Sequence, residues 1–538
     1  MKRPNSLRWT VIAVILAAPG LVVAQVARTP EDLSDAREPL EVGNRRQVFI
    51  DGRFIDSAQH VELHVHEPRK TGEMNLKPER PWEVGGIGPY SSVLEVGGTY
   101  HMWYHAMDSV QWHIDKEAGA ICYARSQDGI HWERPDLGLT EYKGSRQNNI
   151  VFGHGAGGLR VGQDGGMVFI DPTAPDDERF RFLVAHGATG EGIHVFSSPD
   201  GLHWKLTRAG VLHARPQAHG HHLDSQNVMF WDDLISKYVC YGRKNLLRDG
   251  SPSRSIARGE SATLDGFEPV QDMPVVLGPD MEDLFHGETA MVDYYMSAAI
   301  KYPWAQDAYY MFPTAYYHYM AGALGDFKNG VPTNAGPLHT QFAASRDGLH
   351  WERYGRRPFV RLGMKGEFDW ASTRVIHGIV PSVDGREMYM YYRGSDWLHG
   401  WDRDERNKRL LTEAGLGADQ NIAVLSRVVL RRDGFISVRA AYSGGQFSTP
   451  RMIFQGRKLV LNVDTSATGI GRVGLLDVNG LPIDGFNVQE CDRIHTANEV
   501  NRVVTWRGSS DLSSFAGKPI SLRFLMHDAD LYAFQFQD

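Results

Sequence analysis

The sequence has 538 residues, of which 42% are apolar and 23% are charged, values that are ordinary for a folded globular protein. Its net charge is −8 and no basic stripe is present, which argues against nucleic acid or an anionic membrane surface as a partner. The three cysteines, at positions 122, 240 and 491, match no zinc motif and are too few for a disulfide framework. A chain of this length can build its core from sheet packing alone.

The N-terminus has the pattern of a secretory signal peptide. Lys2 and Arg3 precede an apolar run at residues 10–21, and small residues suited to cleavage follow it up to Ala24. The run is too short to span a bilayer comfortably. We therefore expect residues 1–24 to be removed and the mature protein to be secreted or periplasmic, with no membrane span. The alternative is an uncleaved anchor helix.

A seven-residue segment recurs along the chain. The first copy, Ser-Gln-Asp-Gly-Ile-His-Trp, covers residues 126–132, and similar copies cover residues 198–204 and 345–351. The second gap is about twice the first, which predicts a degenerate copy between the last two. The segment Asp-Gly-Phe at residues 265–267 fits that place, and a second Asp-Gly-Phe follows at residues 433–435. Five copies of one repeat predict five structural units.

Each Asp-Gly pair predicts a tight turn, because glycine accepts the positive φ that such turns need. Aromatic and β-branched runs, such as residues 100–104 and 388–392, predict strands around the turns. The tryptophan that ends each full copy would open the next strand and pack between units. Five such units around an axis make an all-β, five-bladed β-propeller. A string of β-sandwiches is the alternative.

The predicted domain boundaries follow from these patterns. Residues 25–44 are polar and form an N-terminal extension, and the propeller covers residues 45–441. From residue 442 the repeat ends, while short strands continue with Asn-Gly and Asp-Gly turns between them. That pattern predicts a C-terminal β-sandwich at residues 442–538.

An acidic residue precedes the innermost strand of each predicted unit. In four units an aspartate stands about three residues before an apolar run, and in the first unit a glutamate stands a few residues earlier. These residues are Asp164, Asp224, Asp293, Asp369 and Glu83. Because the innermost strands of a propeller surround its axis, we expect the five carboxylates to lie together at one mouth of the channel.

Carboxylates gathered at one mouth repel each other, which raises some of their pKa values. Glycoside hydrolysis needs that difference, because one carboxyl must stay protonated while another is ionised. The five acids are therefore candidate catalytic residues. Two alternatives remain, namely that the aspartates cap turns at strand entries, or that some of them hold a calcium ion as an accessory. No other metal or cofactor is expected, although residues 219–222 include three histidines.

Aromatic residues crowd the same loops, and sugar rings present apolar C–H faces that stack on such side chains. The candidate substrate-binding aromatics are Trp82, Tyr295 and Trp370, and Arg374 and His377 could hydrogen-bond hydroxyls or steady a carboxylate. Each of these residues has a structural alternative in core packing. The predicted partner is a carbohydrate.

The repeats and the strand-entry acids resemble those of the five-bladed propeller glycosidases, the superfamily of invertases, levanases and arabinanases. The resemblance also rests on residues 49–52, 198–204 and 224–228, and it covers roughly residues 45–440. It implies three catalytic acids, which by position are Glu83, Asp164 and Asp224, with Asp293 as a substitute. The Asn-Asp-Pro-Asn and Arg-Asp-Pro motifs of invertases are absent from the sequence.

Together these features predict a secreted glycoside hydrolase that cleaves poly- or oligosaccharides by carboxylate acid/base chemistry at the propeller axis. A non-catalytic carbohydrate-binding propeller is the main alternative, since it would need aromatics and amides but no acid pair. A polysaccharide lyase is a further alternative, and it would use a Tyr or His base beside an arginine or a metal.

Overall fold

The computed structural model describes most of the chain, and these residues are almost entirely β-structure. The described residues are 38–107, 119–153, 166–185, 192–215, 222–248, 251–284, 289–319, 335–401, 405–413 and 415–538. Within them, one α-helix is found, α1 (Glu405–Glu413), and no helix is long and apolar enough to cross a membrane. Short 3-10 helices cover Gly52–Phe54, Pro81–Glu83, Asp176–Glu178, Met281–Leu284 and Ser513–Phe515.

Five short strands precede the first propeller unit. They are β1 (Leu40–Gly43), β2 (Gln47–Val48), β3 (Ser57–Gln59), β4 (Val61–Val65) and β5 (Arg69–Lys70). They serve two different parts of the fold, because β1 to β4 pair with C-terminal strands while β5 pairs with the last propeller unit.

The first three units are antiparallel sheets built in chain order from the inside outward. The first contains β6 (Gly86–Ile87), β7 (Ser92–Val96), β8 (Thr99–Met107), β9 (Gly119–Ser126) and β10 (Ile150–Gly153). The second contains β11 (Met167–Ile170), β12 (Phe180–Ala185), β13 (Ile193–Ser198) and β14 (Lys205–Leu212). The third contains β15 (Val228–Asp232), β16 (Lys237–Arg248), β17 (Ser251–Ser261) and β18 (Val275–Leu277).

The strands of the fourth unit are interrupted. The unit therefore consists of two halves whose strands pair separately. Its strands are β19 (Thr289–Tyr294), β20 (Ile300–Lys301), β21 (Tyr309–Met311), β22 (Thr314–Tyr319), β23 (Leu338–Thr340), β24 (Ala343–Ser345) and β25 (Glu352–Arg353). β19, β22 and β23 pair in that order, and β20, β21, β24 and β25 form the other half.

The fifth unit closes the ring. It contains β26 (Ser372–Val375), β27 (Val380–Pro381), β28 (Glu387–Ser395) and β29 (Ala423–Arg431), with β5 as its outermost strand. A bridge between Ser92 and His377 joins the inner strands of the first and fifth units, and β23 pairs with β26 at Leu338 and Ser372. Successive antiparallel units whose inner strands meet in a closed ring form a β-propeller. The predicted fold class is confirmed.

The Asp-Gly turns follow the third strand of each unit, as the repeat predicts. Asp128, Asp200 and Asp347 each accept hydrogen bonds from the backbone N–H groups two and three residues later. The indole N–H of Trp103 in the first unit donates to the carbonyl of Gly201 in the second, at 2.6 Å. These turns therefore hold neighbouring units together and belong to the scaffold.

The tryptophans of the repeat differ in their packing. The Trp132 ring lies 5.5 Å from that of Tyr391 in the fifth unit, which is the predicted contact between units. The half-buried ring of Trp204 packs 5.4 Å from Phe182 of its own unit, against a cluster that also contains Phe152 of the first unit.

The C-terminal sandwich contains nine strands of its own. They are β30 (Ile436–Ala440), β31 (Gly445–Ser448), β32 (Met452–Phe454), β33 (Lys458–Asp464), β34 (Ile470–Leu476), β35 (Ile494–His495), β36 (Asn498–Val503), β37 (Ser521–His527) and β38 (Ala529–Gln537). One sheet has the order β36-β33-β38-β30-β4, with β2 also on β38. The other has the order β3-β31-β37-β34-β35, and β1 pairs with β32.

The strand pairing differs from the predicted boundaries at residues 45 and 442. β2 to β4 complete the sandwich sheets instead of opening the propeller, and β30 already belongs to the sandwich. The physical reason is burial, since Phe49 and Phe54 are fully enclosed in the sandwich core beside Phe447 and Phe534. No local pattern in residues 61–65 signals partners that lie 371 to 379 residues away along the chain.

Candidate functional site

The inner strands of four units meet around Gln226. Its side-chain N–H group donates to the carbonyl of Ser91 at 2.9 Å and to the carbonyl of Gly166 at 3.3 Å. The backbone N–H of His377 donates to the same Ser91 carbonyl at 3.2 Å. These residues flank the inner strands of the first, second, third and fifth units. Positions near those strands therefore converge, as the sequence predicts.

Beside this point, three arginines surround one tyrosine. Tyr295 follows β19 of the fourth unit, and its ring centroid lies 5.5 Å from the guanidinium carbon of Arg243, 5.2 Å from that of Arg254 and 5.5 Å from that of Arg374. Such distances are those of cation–π contacts. We call Tyr295 and these three arginines the Tyr295 site. It includes Tyr295 and Arg374, two of the residues predicted to bind substrate.

Asp224 reaches solvent next to this site. Its side chain is 37% exposed, and its carboxylate accepts a hydrogen bond from Arg243 at 3.0 Å. Arg243 also donates to the backbone carbonyl of Asp224. Because Asp224 precedes β15 of the third unit, it occupies the strand-entry position that the sequence analysis assigned to a catalytic acid.

Asp293 lies at the same site but is fully buried. It accepts hydrogen bonds from the backbone N–H of Arg254 at 2.9 Å, from the Arg254 guanidinium and from the His318 ring at 2.9 Å. Burial raises the pKa of Asp293, but the His318 hydrogen bond and the Arg254 charge outweigh it and hold the pKa below its ordinary value. The expectation that neighbouring carboxylates raise the pKa of the acids is wrong for this residue, because its neighbours are cations.

Glu83 is a buried structural carboxylate and not a rim residue, so its predicted position is wrong. It is 0% exposed and accepts hydrogen bonds from Tyr104 at 2.6 Å and from Arg134 at 3.0 Å. It also accepts from the backbone N–H groups of Glu79 and Arg80, at the start of the 3-10 helix Pro81–Glu83. Its carboxylate therefore caps a helix and neutralises an arginine.

Asp369 is also buried away from the Tyr295 site. Its carboxylate contacts the Lys70 amine at 2.6 Å and the Tyr392 hydroxyl at 2.7 Å. Tyr392 and Arg393 are consecutive on β28, so their side chains point to opposite faces of the sheet. Since Arg393 is the register partner of Arg374, Asp369 lies on the face opposite to that pair, and its predicted place at the channel mouth is wrong.

Asp164 lies outside the described residues. Gly166, two positions later, is described and accepts the hydrogen bond from Gln226. The strand that follows Asp164 thus begins where the inner strands converge.

Two of the aromatic residues that were predicted to bind substrate are buried. Trp82 is 7% exposed, donates to Asn149 at 3.0 Å and packs against Tyr142, which makes it a core residue. Trp370 is 8% exposed and belongs to a buried cluster with Leu398 and Leu411. Both rings are therefore largely enclosed by other residues, and their contact with substrate stays a prediction.

His377 lies at the convergence of the inner strands. It is 4% exposed, and burial lowers its pKa to about 4. Its Nδ1 atom has no hydrogen-bond partner within the described ranges. His105 is similar, because burial and the Arg393 charge lower its pKa to about 4. Both rings are therefore neutral at neutral pH.

Sequence reasoning missed Arg243, Arg254 and His318. The two arginines lie on adjacent strands, where Arg254 is the register partner of Asn245, two residues from Arg243. Charged side chains inside predicted strands were the available signal. Among the described residues, the site holds three guanidinium groups and two carboxylates, and Asp224 is the accessible one of the two carboxylates.

In the described part of the chain, no three His, Cys, Asp or Glu side chains are grouped so that they could hold a metal ion. No residues there combine into the calcium site that the sequence analysis kept as an alternative.

Comparison with known proteins gives short or distant similarities. No family model matches the sequence. An uncharacterized protein of Mycobacterium tuberculosis strain H37Rv is 26% identical over 152 residues, which are 28% of this chain and 41% of that protein. One from the Oshkosh strain is 39% identical over 56 residues, which are 10% and 19% of the two chains. The chain thus spans less than half the length of these curated relatives.

Several solved structures align with most of this chain at low TM-scores. A protein solved as a complex with RGII gives a TM-score of 0.44 at 10% identity, covering 68% of this chain and 92% of that protein. A putative glycoside hydrolase from Parabacteroides distasonis gives 0.39 at 15% identity, covering 68% and 96%. A family 43 arabinoxylan arabinofuranohydrolase from Bacillus subtilis gives 0.38 at 14% identity, covering 88% and 99%. Because these TM-scores and identities are low, the fold assignment rests on the strand pairing described above.

Proposed function

We propose that the protein is a glycoside hydrolase in which Asp224 is a catalytic acid or nucleophile. The observation that supports this proposal is the position of Asp224, a carboxylate 37% exposed where the inner strands of the propeller converge. An accessible carboxylate is what hydrolysis of a glycosidic bond requires. The proposed place of action is outside the cytoplasm, because residues 1–24 have the pattern of a signal peptide.

Hydrolysis needs a second carboxyl, and we assign that role to Asp164 from its sequence position. The separation of the two carboxyls would decide the outcome, since about 5–5.5 Å suits retention and about 6.5–9.5 Å suits inversion. Asp293 takes a supporting role in this proposal, because its hydrogen bonds orient Arg254 and His318.

The test is release of reducing sugar from a panel of polysaccharides by the intact protein and by Asp224→Asn. The matched control is Asp272→Asn, because Asp272 is 38% exposed and also pairs with one arginine, Arg215, away from the Tyr295 site. We expect Asp224→Asn to lose most turnover and Asp272→Asn to keep it. Equal activity of the two variants would contradict the role of Asp224.

A non-catalytic saccharide-binding propeller is the second candidate, and one observation favours it. Of the predicted acids within the described residues, Asp293, Asp369 and Glu83 are buried against cations, which leaves Asp224 as the accessible one. A binding protein would retain saccharide affinity in Asp224→Asn and release no sugar in any variant. The same panel therefore separates the two candidates.

A further inference from the structure

We propose that the Tyr295 site binds the anionic group of an acidic saccharide, that is, a sugar carrying a carboxylate or a sulfate. The inference rests on the proposed saccharide binding at this site and names its substrate class. It depends on the charges around Tyr295 and not on the pair of acids that hydrolysis would use.

Arg374 is the residue that supports the proposal most directly. It is 6% exposed, and its Nε atom is buried without a hydrogen-bond partner. Within the described ranges its guanidinium contacts the Tyr295 ring but no carboxylate. Burial of an unpaired charge is costly, and an arginine is rarely enclosed in this way unless an anion joins it.

A second arginine starts beside Arg374. Arg374 on β26 and Arg393 on β28 are register partners, so both side chains start from the same face of the sheet. Arg393 donates to the carbonyl of Ile87 at 3.3 Å and to the hydroxyl of Ser395 at 2.8 Å. The register partner of Arg374 is therefore itself a cation and supplies no counter-charge to it.

The other charges of the site balance each other. Arg243 is paired with Asp224, and Arg254 is paired with Asp293. The charge of Arg374 therefore remains as an excess within the described part of the site, although the whole chain carries a net charge of −8. A local positive charge in an acidic protein is suited to bind one anionic group of a saccharide.

The geometry of a guanidinium group explains the class of ligand. Its planar fork donates two parallel hydrogen bonds, which match the two oxygens of a carboxylate or of a sulfate. A neutral sugar hydroxyl would leave the charge of Arg374 uncompensated. The site should therefore distinguish an acidic sugar from its neutral ester.

The test measures binding by calorimetry in the intact protein at low temperature, where turnover is slow. Asp224 is kept, because Asp224→Asn would leave Arg243 without its counter-charge and would itself favour anions. The probes are an oligogalacturonate, its uncharged methyl ester, a sulfated galactan oligosaccharide, a neutral xylo-oligosaccharide, and inorganic sulfate and phosphate. We expect the oligogalacturonate or the sulfated probe to bind at least about 30-fold more tightly than the neutral probes. Which of the two binds identifies the anionic group.

The variant that tests Arg374 is Arg374→Met, which keeps an unbranched side chain but removes the charge. We expect acidic-saccharide binding to weaken about 30-fold or more while the melting temperature stays the same or rises, since an unpaired buried charge is removed. The matched control is Arg427→Met. Arg427 is equally buried at 6% and lies over the Tyr389 ring, but it is paired with Glu73 at 3.0 Å. We expect its loss to lower the melting temperature and to leave binding unchanged.

Each outcome separates this inference from the proposed function. Tighter binding of neutral than of acidic saccharides, or of free phosphate or sulfate than of any saccharide, would overturn the inference. A lowered melting temperature with unchanged acidic-saccharide binding in Arg374→Met would also overturn it, because the arginine would then be structural. Selective binding of acidic saccharides without any release of sugar by the intact protein would support the inference and contradict the hydrolase.

Discussion

Asp293 and Arg254 form a buried ion pair in which the backbone and the side chain of the arginine both donate to one carboxylate. The pair links the inner strand of the fourth unit to the third strand of the third unit, and His318 completes the hydrogen bonds to the carboxylate. It therefore holds one of the three arginines of the Tyr295 site in place.

Asp293→Asn should destabilise the protein strongly, because it leaves the Arg254 guanidinium in the interior without its counter-charge. We expect the free energy of unfolding to fall by about 3 kcal/mol, as measured by denaturant titration. The control is Asp233→Asn, since Asp233 is 77% exposed and its partner Lys301 also contacts Asp232. That change should cost less than about 1 kcal/mol. Equal effects of the two variants would mean that the buried pair contributes little.

Gly201→Ala should disturb the contact between the first and second units. Gly201 has φ +75°, and a Cβ atom there would lie 2.5 Å from the Trp103 ring. Gly480 has φ +77°, but a Cβ atom there meets nothing within 4 Å, which makes Gly480→Ala the matched control.

Both alanine variants carry the backbone penalty of about 1–2 kcal/mol for a left-handed residue. Overpacking against Trp103 should add about 1–3 kcal/mol in Gly201→Ala alone. Thermal unfolding monitored by tryptophan fluorescence would measure the difference. If the two variants melted at the same temperature, the turn would not be packed against Trp103.

Local sequence patterns predict the repeat units, but they do not predict the pairing of strands that are distant along the chain. The turn at Asp200 is visible in the sequence because its hydrogen bonds join residues two and three positions apart. The pairing of β4 with β30 is not visible, because it joins residues 61–65 to residues 436–440 across the whole propeller. The fold class could therefore be predicted, whereas the N-terminal boundary could not.

The same contrast between local patterns and long-range contacts applies to the residues of the candidate site. The strand-entry rule selects Asp224, which lies beside the converging inner strands, because the rule depends only on the spacing of the repeat. It cannot tell an exposed carboxylate from a buried one, because burial depends on partners such as Lys70 for Asp369 or Arg134 for Glu83 that are distant in sequence. The arginines around Tyr295 come from strands β16, β17 and β26, so only the folded chain assembles them.

Buried histidines should make the protein less stable as the pH falls below neutrality. The pKa of His377 is about 4 in the folded state, against about 6.5 when unfolded. Between these values the unfolded chain binds more protons, so stability is complete above about pH 6.5 and decreases as the pH falls toward 4. This residue alone should cost about 2 kcal/mol by pH 5.

The variant His377→Gln should lose less stability than the intact protein between pH 7 and pH 5, as measured by denaturant titration at both values. The control is the same substitution at His495, an exposed histidine on β35 of the sandwich. That variant should follow the intact protein. A pH dependence identical in both variants would show that His377 titrates with an ordinary pKa in the folded state.

Lys70 lies on β5, the outermost strand of the fifth unit, and forms an ion pair with Asp369 of the same unit. Its amine lies 2.6 Å from the Asp369 carboxylate, which is 1% exposed. Lys70→Met leaves this carboxylate buried without its cation and should lower the free energy of unfolding by about 3 kcal/mol. Lys77→Met is the control, because Lys77 and its partner Glu79 are both about half exposed, and it should cost less than about 1 kcal/mol.

Adding Asp369→Asn to Lys70→Met removes the unpaired charge, so the double variant should be more stable than Lys70→Met alone. Denaturant titration of the four proteins in this cycle measures the coupling directly. Additive effects of the two substitutions would mean that the ion pair does not hold β5 on the fifth unit, and that backbone pairing with β29 closes the ring without it.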